Sequence, residues 1–184
     1  MKILKIWASS VLLLSSCTTS DTENVEVENR LDTLQEELSN PDDDIIVESF
    51  NLHKNSSIAL DDYGFAYITT GKKLVFEYSY YLDPAPSWVD DENTEIIVFE
   101  VDPALENFVF QNSDLISSST FFTNLCFCIV DKSIAIENGK IQGLNVGTDV
   151  WELDINVNFE EFNYSTEKFE ERNITITGLF SLEN

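Results

Sequence analysis

The hydrophobic positions of this chain change period twice. From Ile6 to Leu14 they run almost unbroken, Val27, Leu31, Leu34 and Leu38 recur at helical spacing, and from Ile45 onward apolar and polar residues alternate. A period of two puts every second side chain on one face of a strand. The longest example is Trp151, Leu153, Ile155, Val157 and Phe159, separated by Glu152, Asp154, Asn156 and Asn158. It predicts an antiparallel strand with one buried and one solvated side. Tyr63, Phe65 and Tyr67 alternate in the same way, as do Leu74, Phe76, Tyr78, Tyr80 and Leu82, and Thr70-Gly71-Lys72 between them suits a hairpin turn. Asn138-Gly139 is the preferred pair for a type I′ turn, which would set Glu137 opposite Lys140 and Ile136 opposite Ile141. The last strand carries Ile174, Ile176, Phe180 and Leu182, and Gly178 within it marks a bulge or a close approach.

Roughly nine or ten strands and no helix are expected beyond residue 45. The predicted fold class is all-β: an antiparallel β-sandwich, with a small lipocalin-like β-barrel as the alternative. Segments 82–95 and 102–120 read as long crossings and favour the sandwich. The chain divides into a signal segment (1–16), a tether with a short capped helix (17–44) and one all-β domain (45–184).

Lys2 and Lys5 precede the short apolar run, which is well below the roughly 20 residues that span a bilayer. Leu14-Ser15-Ser16-Cys17 closes it, and this tetrad resembles the lipobox of bacterial lipoproteins. The resemblance implies cleavage before Cys17 and lipidation of its thiol, with palmitate among the acyl chains. Two or more chains hold a protein on a membrane where one does not. Thr18, not Asp, follows Cys17, which in that family implies the outer rather than the inner membrane of the cell envelope. The domain resembles, in style alone, the acidic β-rich lipoproteins of Gram-negative envelopes.

Charge narrows the partners. The chain carries 34 Asp and Glu against 10 Lys and Arg, a formal charge of −24, and no basic patch after the signal segment. Nucleic acid is excluded as a partner. Cations, neutral sugars or an envelope protein fit better. Hydrophobic residues at 43% exclude a disordered chain.

The candidate ligand-binding residues are Trp88, Asp83, Asp90, Asp91 and Glu92, on one inter-strand loop. Trp88 can stack on a sugar face while the acids bond hydroxyls or hold Ca²⁺ through oxygen. No other cofactor and no metal site is expected. Cys126 and Cys128 would share one face of a strand, beyond the roughly 3.5–4.5 Å between β-carbons that a disulfide needs, and are read as two buried thiols. Glu160 and Glu161 are adjacent and would point to opposite faces. No nucleophile, base and orienting group can be tied together, so no catalytic residue is named. The expected function is a non-enzymatic binding module. The alternatives are an accessory of an envelope complex and a carboxylate-dependent hydrolase such as a glycosidase.

Overall fold

The structure, a computed structural model, describes residues 44–84, 92–126 and 132–182. The signal segment, Cys17, the tether, Trp88, Asp90, Asp91 and Cys128 lie outside the described residues. Among the described residues are ten strands: β1 (Ile45–Leu60), β2 (Ala66–Thr70), β3 (Lys73–Asp83), β4 (Asn93–Val101), β5 (Asn107–Gln111), β6 (Phe121–Cys126), β7 (Ile134–Ala135), β8 (Asn138–Gly147), β9 (Val150–Asn163) and β10 (Lys168–Leu182). One short helix, α1 (Ser113–Ser117), lies between β5 and β6.

The protein is all-β. Its strands form one sheet in the order β5-β8-β9-β10-β1-β3-β4-β6-β7, with β2 added to β1. Every pairing is antiparallel except the short parallel contact of β1 with β10 at Asn51–Ser181 and Leu52–Leu182. The sheet curls into a half-barrel, so that its two arms face each other as the layers of a sandwich do. Aromatic rings fill the space between. Phe76 of β3 lies 5.5 Å from Trp151 of β9 and 5.8 Å from Phe180 of β10, both edge-on, and Phe122 of β6 lies 4.6 Å from Phe159 of β9. Such contacts add about 0.5–1.5 kcal/mol each beyond the area they bury.

Strand β9 follows its sequence pattern. Trp151, Leu153, Ile155, Val157 and Phe159 are all buried, with β8 on one edge and β10 on the other. Gly178 is a close approach and not a bulge. The β10 register runs through it unbroken, and a Cβ there would come within 2.3 Å of the Phe50 ring.

Two expected turns are not turns. Strands β2 and β3 do not pair with each other; both pair with β1, β2 through Ser56–Leu60 and β3 through Ile45–Ser56. The chain reverses instead at Asp61–Phe65, where the Asp61 carboxylate accepts the backbone N–H groups of Tyr63 (2.9 Å) and Phe65 (2.8 Å). Tyr63 is 81% exposed at that apex. Gly71 serves the irregularity in β1 near Asn55, donating to the Asn55 carbonyl and lying against Ser56 and Ser57 with no room for a Cβ.

Likewise β7 pairs with β6, and β8 with β5 and β9, so Asn138-Gly139 closes no hairpin. Asn138 does not have the positive φ that a type I′ turn requires. Gly139, at φ +122°, lets β8 approach β9: a Cβ would sit 2.4 Å from the Asn156 carbonyl oxygen. Ile136 is buried and donates its N–H to Thr120. Of the two supposed crossings, 82–95 is a hairpin connection, since β3 and β4 pair up to Leu82–Asn93. Segment 102–120 does cross, because it carries β5 to the far edge beside β8 and returns through α1 to β6.

Gly139→Ala therefore meets both a strained φ and a backbone clash. It should lower unfolding free energy by about 2–4 kcal/mol in urea titrations. At Gly147 the nearest atom to an added Cβ is 3.9 Å away, and Gly147→Ala should stay within about 0.5 kcal/mol of the parent.

Candidate functional site

The β9–β10 hairpin carries three aromatic rings at its tip. Phe162 of β9 and Phe169 of β10 are direct cross-strand partners, and Tyr164 follows in the turn. Phe162 meets Tyr164 edge-on at 4.9 Å and Phe169 at 5.3 Å. The turn is tied by its own polar side chains. The Asn163 side-chain oxygen accepts from the backbone of Ser165 and Thr166, while Thr166 Oγ1 and Asn163 Nδ2 donate to the two Glu170 oxygens at 2.7 and 2.9 Å.

Across from this tip stand β6 and residues 132–135. Ser133 fixes that stretch in place. Its hydroxyl accepts the Ala66 N–H (2.8 Å) and pairs with the Thr123 hydroxyl (2.6 Å), and its N–H donates to Gly64 in the β1–β2 turn. Between hairpin tip and β6 lies a cavity of about 690 Å³. Phe121, Phe122, Ile134 and Leu60 join the three hairpin rings in its lining, and Glu160, Glu161, Asn124 and Lys132 supply the polar part. Its volume and its mostly apolar lining with a few polar groups are those of a small-molecule site.

A charged cluster sits at the wall. The Arg172 guanidinium of β10 bonds Glu161 of β9 (2.8 Å) and Glu95 of β4 (2.5 Å), and lies over the Phe122 ring at 5.0 Å. Burial disfavours its charge, but the bonds to Glu95 and Glu161 outweigh this and raise its pKa. The remaining Glu161 oxygen accepts from Asn124 Nδ2 at 3.3 Å. That orientation leaves Asn124 Oδ1 buried with no donor.

Of the expected site, Asp83 and Glu92 are described. Asp83 ends β3 opposite Ile45, and Glu92 lies just before β4. Burial first, then these two carboxylates, raise the pKa of the Tyr81 hydroxyl, so the structure does bring Asp83 and Glu92 to one place. Neither lines the cavity. Phe162, Tyr164 and Phe169 were not selected by the sequence reading; the available signal was three aromatics around an Asn-Tyr-Ser-Thr turn, two of them left exposed. Cys126, which also lines the cavity, corrects the thiol expectation. It is half-buried and disulfide-bonded, with its partner outside the described residues. Glu160 and Glu161 differ in exposure as strand neighbours should, yet both reach the cavity. Among the described residues no three His, Cys, Asp or Glu side chains are grouped to hold a metal ion.

The hydrogen bonds from Thr166, then Asn163, lower the Glu170 pKa from its ordinary 4.5. A lowered pKa means that the tie stabilises the folded hairpin above the unfolded value and is lost as pH falls through the folded one. An NMR titration of the Glu170 carboxyl should show a midpoint below 4.5, and Thr166→Ala should move it up. Compared with protein-family models, with curated proteins and with solved structures, the chain matches none, so the cavity's own chemistry has to carry the functional reading.

Proposed function

We propose that this chain is a lipid-anchored binding module of a bacterial cell envelope, and that it holds a small, mostly apolar molecule in the cavity between β6 and the β9–β10 hairpin. The observation that carries the reading is the cavity itself: about 690 Å³, walled by five aromatic rings, with acidic side chains at one part of its lining. Exposed aromatics are costly to solubility, and the hairpin keeps Phe169 and Tyr164 exposed beside a cavity that such rings suit. A hydrolase is the weaker reading. Both oxygens of Glu161 are already taken, by Arg172 and Asn124, which leaves Glu160 without a second carboxylate free to act with it in the cavity. The Trp88 loop, with Asp83 and Glu92 at its ends, remains a second surface for a glycan or Ca²⁺.

The full chain should enhance the fluorescence of N-phenyl-1-naphthylamine, a neutral probe that lights up in apolar sites. Leu60 lies half-exposed at the lip of the cavity, and Leu60→Arg should weaken the probe at least fivefold with an unchanged far-ultraviolet spectrum. No enhancement by the parent protein would refute a small-molecule site.

The anchor has its own test, which the disulfide sharpens. Cys126 can pair only with Cys17 or Cys128 within one chain, and a lipidated Cys17 is not available. Labelled palmitate should enter the wild type and not Cys17→Ala, and a non-reducing peptide map should join Cys126 to Cys128. A Cys17–Cys126 bond would exclude the anchor.

A further inference from the structure

We infer that the other end of β9 carries a further site, which takes a phosphate monoester through three lysines. Phe162, near the end of β9, lines the cavity described above, whereas Trp151, near its start, lines a pocket of about 310 Å³. That pocket is formed by β1, β3, the β8–β9 turn and the segment after β4. The two share no lining residue, so this site does not rest on the reading of the first. Its volume is at the small end for a small-molecule site.

Strand pairing gathers the cations. In the sequence Lys54 stands apart from Lys72 and Lys73, and no basic patch is evident. In the sheet Ser56 of β1 lies opposite Lys73 of β3, and the irregularity between His53 and Ser56 takes Lys54 and Asn55 out of the ladder. All three lysines then line one pocket. They are three of only ten Lys and Arg in a chain with 34 Asp and Glu, yet Asp149 is the one carboxylate among the described residues of the lining. Two of the lysines have partners: Lys54 pairs with Asp149, and Lys73 reaches Asp102, outside the lining, at 3.8 Å. Lys72 is exposed and has no ion pair among the described residues. Even with Asp102 counted, the cations are in excess. An ammonium carries three donors, so Lys54 can bond a ligand oxygen and keep Asp149. Asn145 adds another donor, because its Oδ1 accepts the Gly147 N–H at 3.1 Å and its Nδ2 is left to bond a ligand.

Phosphate suits this set better than carboxylate does. The planar fork of an arginine matches a carboxylate, and no arginine is among the described residues of the lining. Ammonium groups act as point charges, which can approach the oxygens of a tetrahedral dianion from separate directions. A long polyanion would run on to the surface of a chain at −24, so a small ester is the form that fits. Buried Leu52, Leu74 and Trp151 form the floor and give the carbon part of the ester an apolar surface.

The test is calorimetric titration of the full chain with phenyl phosphate and with benzoate. Phenyl phosphate should bind at least fivefold more tightly than benzoate at neutral pH, and its affinity should fall as pH drops through about 6, where the ester loses its second charge. Lys72→Gln alters an exposed side chain without an ion pair, so the melting temperature should hold while phenyl phosphate weakens at least fivefold. Lys168→Gln makes the same change of net charge on an exposed residue outside the pocket, and should leave the affinity within twofold. Flotation with phosphatidylcholine vesicles, with and without phosphatidic acid, then tells the source of the ester. Flotation that needs phosphatidic acid and is lost in Lys72→Gln assigns a lipid headgroup, and its absence assigns a soluble ester. No heat from phenyl phosphate, benzoate binding equally tightly, or equal losses in Lys72→Gln and Lys168→Gln overturns the inference, whatever the naphthylamine probe does at the other end of β9.

Discussion

One guanidinium joins the two arms of this sheet where the cavity opens. Arg172 belongs to β10, yet it bonds Glu95 of β4 as well as Glu161 of β9 and covers the Phe122 ring of β6. A half-barrel has no continuous hydrogen bonding to close it. Its parallel contact between β1 and β10 is confined to two residue pairs. The ring cluster around Phe76, Phe99, Trp151 and Phe180 holds the arms together in the core. Near the cavity the packing gives way to space, and a directional, charged contact replaces it. Arginine suits this place because its planar fork can serve two carboxylates at once and still stack on a ring. All three side chains keep some exposure, between 18% and 30%, which moderates the cost of taking charge out of water. That cluster also fixes Glu161, and through it Asn124, so the polar part of the cavity depends on the same cation.

Why some strands could be read from the sequence and others not follows from the nature of the signals. Strand β9 has a partner on each edge and one face against the core, so alternation records its environment directly. Asn138-Gly139 and Gly71 are different. A glycine marks a conformation or a contact that a side chain would forbid, and a hairpin turn, a bulge and a close strand approach share that mark. At Gly139 the forbidden atom is the Asn156 carbonyl oxygen, in the middle of the next strand, β9. Nothing local to residue 139 distinguishes this from a turn. The long-range pairing of β5 with β8 was invisible for the same reason, although the length of segment 102–120 showed that a crossing had to exist.

The candidate site illustrates the same division. Trp88 and its acidic neighbours stand out because they are close in sequence. The cavity draws instead on β6, on residues 132–135, on the β1–β2 turn and on both strands of the terminal hairpin. Only the hairpin part is contiguous. There the alternation of β9 would assign Phe162 to the solvated face, since it falls out of step with Phe159, and an exposed aromatic is unremarkable taken singly. What gives Phe162 meaning is its register with Phe169 and the turn that sets Tyr164 beside it, and both depend on pairing.

The disulfide of Cys126 links the site to the question of where the protein works. Disulfides persist in oxidising compartments outside the cytoplasm, the kind of compartment in which the proposed envelope protein would work. It also stands on the cavity wall, at the end of β6, opposite the exposed hairpin tip. The strand beside it, β7, is only two residues long. The opposing wall has its own tie in Asn163, Thr166 and Glu170. Arg172 of β10 in turn bonds Glu161 in the cavity lining and covers the Phe122 ring on the opposite wall. Local ties of this kind matter for the proposed binding role, because a wall ordered in advance avoids the ordering cost that a ligand would otherwise have to offset.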